Sequence, residues 1–398
     1  MKIVAILENS ISDGGGFNQA LNAIIQMNRI KGSIFSFSVL TSNESNISIL
    51  NDLGINVKIF KKSFFDKVIA GLSTNELTRR FQQKIKIIGP LEKRLINMKC
   101  DLVYFVSPSS RVASLQILNY ILTVWDNAHR GSPEFPEVRS FGEFQRREYI
   151  YNNYIAPSYF TIVDSEQLAD KIHARYGVDR ERLVVMPFSI NPIMEFKSDK
   201  ALSVKDILSL YNINKGYFFY PAQFWPHKNH VRILEALALL RDRGEVYKVV
   251  FVGGEKGGLE HIKELIKKLH LLDQVTILGF VDSSHMPALY NACSAVVIPT
   301  YFGYTNIPPI EAWYFNKPLL YSDYFIEQVQ DSALLFNPDE ASELAELMSR
   351  SLELSVSQLL VENGKKSLTE LGLSRKNSEK LMLTHLKRFK KRLQCWKI

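Results

Sequence analysis

Short apolar runs recur along this chain, and most are followed by a longer segment with apolar residues at helical spacing. Nearly continuous apolar runs are typical of strands buried on both faces, and their alternation with helices predicts a parallel, doubly wound α/β sheet. In the first half the predicted strands lie in KIVAIL, GSIFSFSVLTS, CDLVYFVSP, ILTVWDN, YFTIVDS and RLVVMPFSI.

The pattern is interrupted near residue 190 by a polar segment and then begins again. Strands are predicted in YFFYPAQ, YKVVFVGG, QVTILGFV, SAVVIPT and PLLYSD, with helices between them, and residues from about 340 to the end are predicted to be helical. We therefore predict two Rossmann-like doubly wound domains, residues 1–190 and 191–375, that face each other across a cleft. Ligands of such sheets bind at the carboxyl ends of the strands, so the loops after strands are the places to search.

The length, net charge and cysteine content of the chain limit the size of its cores, the kind of partner and the cellular setting. With 398 residues, 46% of them hydrophobic, the chain can form two buried cores. The formal net charge of +8 suits an acidic partner, which leaves nucleic acid, a sugar nucleotide and an anionic lipid as candidates. The three cysteines form no CxxC pair, which indicates a reducing, cytoplasmic setting. The start of the chain does not resemble a signal peptide, and no apolar stretch approaches the ~20 residues of a membrane span.

A glycine run and a polar cluster follow predicted strands of the first half. Gly14 to Gly16 lie between a strand and a helix, where glycine lets the backbone approach an anion, although a simple tight turn explains them equally well. Asp126 and His129, with Arg130 beside them, follow the strand ILTVW. A position near a reacting group is one reading; the other is that Asp126 caps a turn and His129 lies on the surface.

Two further loops belong to the second half. In YPAQFWPHKNH, residues 220–230, Lys228 lies just before a helix, where its ammonium group and the helix dipole can both address a phosphate. No third ligand at metal-like spacing accompanies the two histidines of this loop. In PTYFGYTNIPPIEAW a double proline leads into a helix predicted to begin near Glu311, which leaves the preceding N–H groups free for a ligand. Glu311 is either a ribose-binding carboxylate or a simple helix cap.

These residues resemble those of the family 4 retaining glycosyltransferases, which have the GT-B fold. The resemblance rests on VDSEQLADKIHARYGVDRERLVVMPFSI and on GFVDSSHMPALYNACSAVVIPTYFGYTNIPPIEAWYFNKPLLYSD, above all on the string FG-x-TNIPP-x-EA. It implies an acceptor-side first domain, a second domain that binds a nucleotide sugar, and a C-terminal helix, 376–398, that packs back on the first domain.

The resemblance also implies a role for each matching residue. Glu311 corresponds to the glutamate that holds the nucleotide ribose, and Lys228 to the lysine that contacts the diphosphate. Gly15 and Gly16 correspond to the loop of the first domain that approaches the diphosphate. The other donor-binding positions implied are Phe280 and Val281, which line the base pocket, and Thr305, Asn306 and Ile307, whose backbone amides contact sugar and phosphate.

The chain departs from the family pattern at three places. The first glutamate of the family's E-x7-E motif is Gly303 here, and the usual arginine of the phosphate site is Gln223. His227 or His230 is a candidate for supplying the missing positive charge. Trp125-Asp126 stands where many members have His-Asp, so His129 is expected to take the place of that histidine. Asp126, His129 and Lys228 are the predicted catalytic residues.

The implied reaction is transfer of a sugar with retention of its anomeric configuration, without a metal or any cofactor other than the donor itself. A GDP-linked, mannose-type sugar is the expected donor, with UDP- and dTDP-sugars as alternatives. Basic, aromatic segments at 61–95 and 385–398 suit an anionic membrane surface or a solvated helix face. Membrane contact would suit a lipid-linked glycan acceptor in O-antigen or capsule synthesis at the inner face of the cytoplasmic membrane. No nucleic-acid motif is present.

Two alternatives to a glycosyltransferase stay open from the sequence. A nucleotide-sugar epimerase would need acidic residues in the cleft for proton transfer, and only Asp126 is well placed. A non-catalytic sugar-nucleotide-binding subunit is compatible with Gly303 and Gln223.

Overall fold

The structure, a computed structural model, describes residues 1–60, 84, 88–195 and 202–396. The chain divides into two compact units: unit 1 comprises Met1–His129, Ser140–Pro187 and Ser374–Ile398, and unit 2 comprises Arg130–Arg139 and Phe188–Leu373. Most of the basic segment predicted at 61–95, and the last two residues of the tail, lie outside the described residues.

Unit 1 is built on a parallel sheet of seven strands in the order β3-β2-β1-β4-β5-β6-β7. The order reverses between β1 and β4, which are hydrogen-bonded neighbours although two strands separate them along the chain. The bounds of the strands are Lys2–Leu7 (β1), Ser36–Thr41 (β2), Val57–Ile59 (β3), Leu102–Phe105 (β4), Asn119–Thr123 (β5), Phe160–Val163 (β6) and Leu183–Val185 (β7).

One helix of unit 1 is capped at both of its ends. The helix after β6 begins behind Ser165, whose side chain accepts the N–H of Leu168, and ends at Gly177, which has a φ of +64°. The helices described up to this point of the chain are Gly15–Ile30 (α1), Asn46–Asp52 (α2), Pro90–Asn97 (α3), Ala128–Gly131 (α4), Pro136–Arg139 (α5, which lies in unit 2), Glu143–Ile150 (α6) and Glu166–Tyr176 (α7).

Unit 2 has a parallel sheet of six strands in the order β10-β9-β8-β11-β12-β13, with the reversal between β8 and β11. Its strands are Phe218–Pro221 (β8), Val249–Val252 (β9), Val275–Ile277 (β10), Ala295–Ile298 (β11), Leu319–Ser322 (β12) and Leu334–Phe336 (β13). The remaining helices are Pro192–Glu195 (α8), Val204–Leu210 (α9), His230–Asp242 (α10), Leu259–Lys268 (α11), Met286–Ala292 (α12), Ile307–Tyr314 (α13), Ile326–Val329 (α14), Ala341–Arg350 (α15) and Leu354–Leu393 (α16).

The last helix, α16, contributes to both units along its length. Near its start, Gly364 lies against the indole of Trp313 in unit 2. Beyond residue 374, the buried residues Met382, Leu386 and Phe389 join the apolar core of unit 1. Tyr159 donates a hydrogen bond to the carbonyl of His385 at 2.8 Å, which fixes the end of the helix on that core.

The prediction of an α/β protein with two doubly wound, Rossmann-like sheets is confirmed. Two strands were missed, β3 and β13, each of three residues. Residues 130–139, which the sequence placed in the first domain, belong instead to unit 2, because Phe135 and Glu137 pack on residues of that unit.

Candidate functional site

The strand order of unit 2 reverses between β8 and β11, so the loops that follow these two strands meet at one edge of the sheet. The first loop ends in a single 3-10 turn, Pro226–Lys228, and the second precedes α13. Ligands of open parallel sheets bind at such a reversal, next to the carboxyl ends of the strands. Both loops carry residues that the sequence predicted to bind a donor.

Lys228 and Asn306, which are distant in sequence, are in contact at this edge. The ammonium Nζ of Lys228 donates to Oδ1 of Asn306 at 2.9 Å. Nδ2 of Asn306 in turn donates to the Tyr321 hydroxyl at 2.7 Å, which donates to Oε1 of Gln328 at 2.8 Å. The hydrogen bond from Nδ2 to Tyr321 therefore orients the Asn306 side chain, and its Oδ1 accepts the hydrogen bond from Lys228.

The sequence did not predict Tyr321 or Gln328. Gln328 lies in a short helix with no motif, whereas Tyr321 was visible as a polar-tipped residue inside the apolar strand PLLYSD. Together they fix Asn306, the residue that precedes α13.

One predicted feature of this loop is wrong. The backbone N–H of Asn306 is not free, because it donates to Oε1 of Gln328 at 2.9 Å, and Nε2 of Gln328 donates back to the carbonyl of Asn306 at 2.7 Å. Pro308 and Pro309 carry no N–H. Ile307 is the first residue of α13, and its backbone amide can still contact a ligand as predicted. Thr305, another of the predicted residues, precedes Asn306 in the loop.

Glu311 lies in the second turn of α13, not in the first turn as predicted, because the helix begins at Ile307. Its side chain is buried, and Oε2 accepts a hydrogen bond from the Tyr290 hydroxyl at 2.5 Å. Burial raises the pKa of Glu311 to about 7, although the Tyr290 hydrogen bond acts in the opposite direction. The carboxyl group is therefore partly protonated at neutral pH, which the sequence did not indicate.

The two histidines near Lys228 are buried. His230 stacks on Phe224 with ring centroids 4.5 Å apart and packs against Tyr220 at 4.7 Å. Burial lowers the pKa of His230 to about 3, so it is neutral at neutral pH. The hypothesis that His230 supplies the charge missing at Gln223 is therefore wrong. His227 is paired with Glu137 of α5, an acidic partner that the sequence did not predict.

The other predicted donor residues of unit 2 differ in exposure. Gln223 accepts the N–H of Trp225 on its carbonyl at 2.8 Å and the indole N–H of Trp225 on Oε1 at 3.1 Å. Its backbone lies so close to Gly253 that a Cβ there would be 2.7 Å from the Gln223 Cα. Phe280 is 55% exposed, whereas Val281 is buried. Of the two residues predicted to line a base pocket, Phe280 thus presents its ring to solvent and Val281 does not.

In unit 1, Gly15 and Gly16 form the first residues of α1, after Gly14 with a φ of +61°. A Cβ on Gly16 would lie 3.4 Å from both the Trp125 ring and Nδ2 of Asn9. The glycine run therefore permits a close approach between the helix start and the loop after β5, in addition to any contact with a ligand.

Asp126 and His129 have partners that hold them in place. Asp126 accepts the N–H of Ala128 at 2.9 Å, as a turn cap does, and pairs with Arg147 at 2.6 Å. His129 is fully buried, and its Nε2 lies 2.7 Å from Oε1 of Glu148. The reading that places His129 on the surface is therefore wrong, whereas its position near a reacting group stays a prediction. Burial lowers its pKa, so the ring is held as a neutral group beside Glu148.

Another polar cluster, which the sequence missed, lies where the order of the unit 1 sheet reverses. Glu8, just after β1, pairs with Arg111 at 2.5 Å and accepts a hydrogen bond from Ser109, both of which follow β4.

Within the described residues no group of three or more histidine, cysteine or acidic side chains is arranged to hold a metal ion. Nor does any helix in the described part of the chain have the length and apolarity to cross a membrane.

Residues 209–367 match the family described as Glycosyl transferases group 1. The chain is 30% identical over 178 residues to the O-antigen chain mannosyltransferase RfbU of Salmonella typhimurium, a match that covers 44% of this chain and 46% of that protein. It is 24% identical over 142 residues to O-antigen chain mannosyltransferase B of Escherichia coli, which covers 35% and 37% of the two chains. The matches thus span less than half the length of these relatives.

Solved structures share the fold over almost the whole chain. A glycosyltransferase from Rickettsia africae superposes with a TM-score of 0.68 at 14% identity, covering 98% of both chains. Anabaena Alr3699/HepE in complex with UDP superposes with a TM-score of 0.69 at 17% identity, covering 96% of this chain and 100% of the other. The chain therefore has the GT-B fold of glycosyltransferases, and the match to the Glycosyl transferases group 1 family lies within its second unit. The predicted resemblance is confirmed at this level, whereas membership of family 4 stays a prediction.

Proposed function

We propose that the protein is a retaining hexosyltransferase that moves a mannose-type sugar from a GDP-linked donor to a lipid-linked glycan acceptor. Bacterial surface-polysaccharide synthesis, specifically that of an O-antigen, is the setting we propose, at the inner face of the cytoplasmic membrane. The partial matches to two O-antigen mannosyltransferases and the group 1 domain support this proposal.

The observation that carries the proposal is the contact between Lys228 and Asn306 at 2.9 Å, directly before α13. It places an ammonium group beside a helix N-terminus, and the two together attract negative charge. Glu311, which the resemblance assigns to the nucleotide ribose, lies on the same helix, five residues after Asn306. A sugar diphosphate offers the matching groups, a charged diphosphate and a ribose with two hydroxyls.

The reaction needs stabilisation of the leaving group more than it needs covalent chemistry from the protein. The bond between the anomeric carbon and the diphosphate oxygen breaks, and the acceptor hydroxyl forms a new bond to that carbon from the same face. The hydroxyl proton passes to the leaving diphosphate. Lys228 offsets the charge that develops there, which is a contribution typical of preorganised electrostatic sites. The carboxyl group of Glu311 accepts hydrogen bonds from the 2- and 3-hydroxyls of the ribose.

A thermal-shift screen with GDP, UDP, dTDP, ADP and their sugars tests the donor class. We expect GDP to raise the unfolding midpoint most, and Lys228→Ala to cut transfer of mannose to a lipid-linked acceptor extract by about 10²-fold, as loss of one charge stabiliser does. Lys267→Ala, which removes an exposed lysine of the same unit, serves as the control.

Each outcome separates the candidates. Transfer with the same anomeric configuration as the donor, read by NMR of the product, supports the proposal. Nucleotide binding without turnover would identify a binding subunit, and a product that stays nucleotide-linked would identify an epimerase. A wild-type protein that binds none of the nucleotides contradicts all three.

A further inference from the structure

We propose that Glu137 is a positioning residue of the donor site: by holding His227 against Phe302, it sets the distance between the loop that carries Lys228 and the loop that carries Asn306. The inference rests on the proposed function and adds a residue from a segment of the chain, 130–139, that no donor motif includes. It concerns contacts within unit 2 alone.

The pair of Glu137 and His227 is desolvated. The side chain of Glu137 is 7% exposed and that of His227 is 9% exposed. Oε1 of Glu137 lies 2.5 Å from Nδ1 of His227 and accepts the backbone N–H of the same residue at 3.2 Å. Burial acts to raise the pKa of Glu137, but the hydrogen bonds from His227 hold it below its ordinary value.

The ring of His227 joins this carboxylate to the second loop. It stacks on Phe302 with ring centroids 3.7 Å apart and planes inclined by 19°. Phe135, two residues before Glu137, packs edge-on against Phe302, with ring centroids 5.5 Å apart. Its ring also lies 5.5 Å from that of Tyr301, with the planes inclined by 34°. The carbonyl of His227 also accepts the N–H of Tyr301 at 2.9 Å. Segment 130–139 therefore contacts both the loop that carries Lys228 and the loop that carries Asn306.

The consequence for the donor site follows from the connectivity. Lys228 is the next residue after His227, and Asn306 lies four residues after Phe302 on the same loop. A change in the tilt of the His227 ring is transmitted to both ends of the Lys228–Asn306 contact, which is 2.9 Å long. Because transition-state stabilisation depends on placement to within about 1 Å, a small shift of Lys228 weakens its action on a diphosphate.

A purely structural role makes a different prediction. Removing one partner of a buried ion pair destabilises a protein, because the other group is left buried without its partner. If Glu137 served stability alone, its loss would lower the unfolding midpoint and leave the affinity of the folded protein for a nucleotide unchanged. If it positions Lys228, affinity and turnover change in the folded protein.

The test compares Glu137→Ala, Glu137→Gln and the control Glu134→Ala, which removes an exposed carboxylate of the same segment. We measure the Kd for GDP by calorimetry, the donor and acceptor KM values and kcat, and the unfolding midpoint without nucleotide. We expect Glu137→Ala to raise the Kd and the donor KM at least 10-fold with little change in the acceptor KM. Glu137→Gln should stay within about 3-fold of wild type, because its Oε1 accepts the same two hydrogen bonds.

A second variant keeps the test decisive if Glu137→Ala does not fold. His227→Phe retains a ring to stack on Phe302 but has no nitrogen for Glu137. We expect it to weaken GDP binding at least 3-fold by itself. Where Glu137→Ala folds, the double variant of Glu137→Ala and His227→Phe should lose no more affinity than Glu137→Ala alone, as for residues that act through one contact.

The outcomes distinguish this inference from the proposed function. Wild-type GDP binding together with unchanged binding in Glu137→Ala and His227→Phe overturns the inference and leaves the proposed function intact. Additive losses in the double variant also overturn it. A wild-type protein that binds no nucleoside diphosphate overturns the proposed function and the inference with it.

Discussion

The carboxyl group of Glu311 has a protonation state that depends on the fold. Its pKa is about 7 in the folded protein because the side chain is buried, against an ordinary value of 4.5. A carboxyl group whose folded pKa is raised stabilises the protein below its unfolded pKa, and that stabilisation is lost as the pH rises through the folded pKa. Glu311 therefore contributes less to stability at pH 7 than at pH 5.

Glu311→Gln should remove this pH dependence, since the amide is neutral throughout and its oxygen can still accept from Tyr290. Relative to the variant, the wild type should lose roughly 2 kcal/mol of unfolding free energy between pH 5 and 7. Urea unfolding of both proteins at the two pH values measures the difference. A constant difference between the two proteins would show that the carboxylate is already ionised at pH 5.

Gly303 occupies the position at which the resembled family has a glutamate, and its backbone explains why a side chain is unfavourable. Its φ is +106°, and a Cβ would lie 3.2 Å from Nδ2 of Asn306. We expect Gly303→Ala to cost about 1–3 kcal/mol of stability and to weaken nucleotide binding by disturbing Asn306.

Gly254→Ala is the matched control, because a Cβ there meets no atom within 4 Å and its φ is not in the left-handed region. Chemical unfolding and GDP calorimetry on both variants make the comparison. Equal stability of the two variants would mean that the loop at 303 adapts without cost, and Gly303→Glu would then be worth making as a gain-of-contact variant.

Among the elements, the crossing of α16 with α13 depends on one glycine. A Cβ on Gly364 would lie 2.6 Å from Cδ1 of Trp313, a ring atom that cannot move without displacing the buried indole. Gly364→Ala should therefore destabilise the protein by about 1–3 kcal/mol, even though alanine favours the helix.

Gly372 lies on the same helix with no atom within 4 Å of a Cβ. Gly372→Ala should stabilise the protein by roughly 0.5–1 kcal/mol, which is the usual gain of alanine over glycine in a helix. Opposite signs for the two substitutions, measured by urea unfolding, would establish the close crossing. A stabilising Gly364→Ala would contradict it.

The order of elements was predictable because a buried parallel strand requires an apolar run, and a run of four or more residues is visible in sequence. Strand-end position was equally informative, since Lys228 and Asn306 follow strands that are neighbours in the sheet. Glu137 and Gln328 could not be found in this way. They come from short helices with no pattern, and they reach the site through tertiary packing that only the folded backbone defines.

At the scale of the whole molecule, the cysteines offer one probe for each unit. Cys100 lies in unit 1 and Cys293 in unit 2, and burial raises the pKa of each thiol to about 12. A thiol reacts as its thiolate, so both should be nearly inert in the folded protein. Cys395 is exposed, and we expect it alone of the three to react rapidly with Ellman's reagent.

In a Cys395→Ser background, the labelling rates of Cys100 and Cys293 in mild urea then report the opening of each unit separately. A ligand that binds the folded form stabilises the part that it contacts, by a free energy that grows with ligand concentration over Kd. Because the proposed donor residues Lys228, Asn306 and Glu311 all lie in unit 2, saturating GDP should slow labelling of Cys293 by 10-fold or more and affect Cys100 much less. Peptide mapping by mass spectrometry distinguishes the two sites. Stronger protection of Cys100 would place the main nucleotide contacts in unit 1 and contradict the assignment of the site.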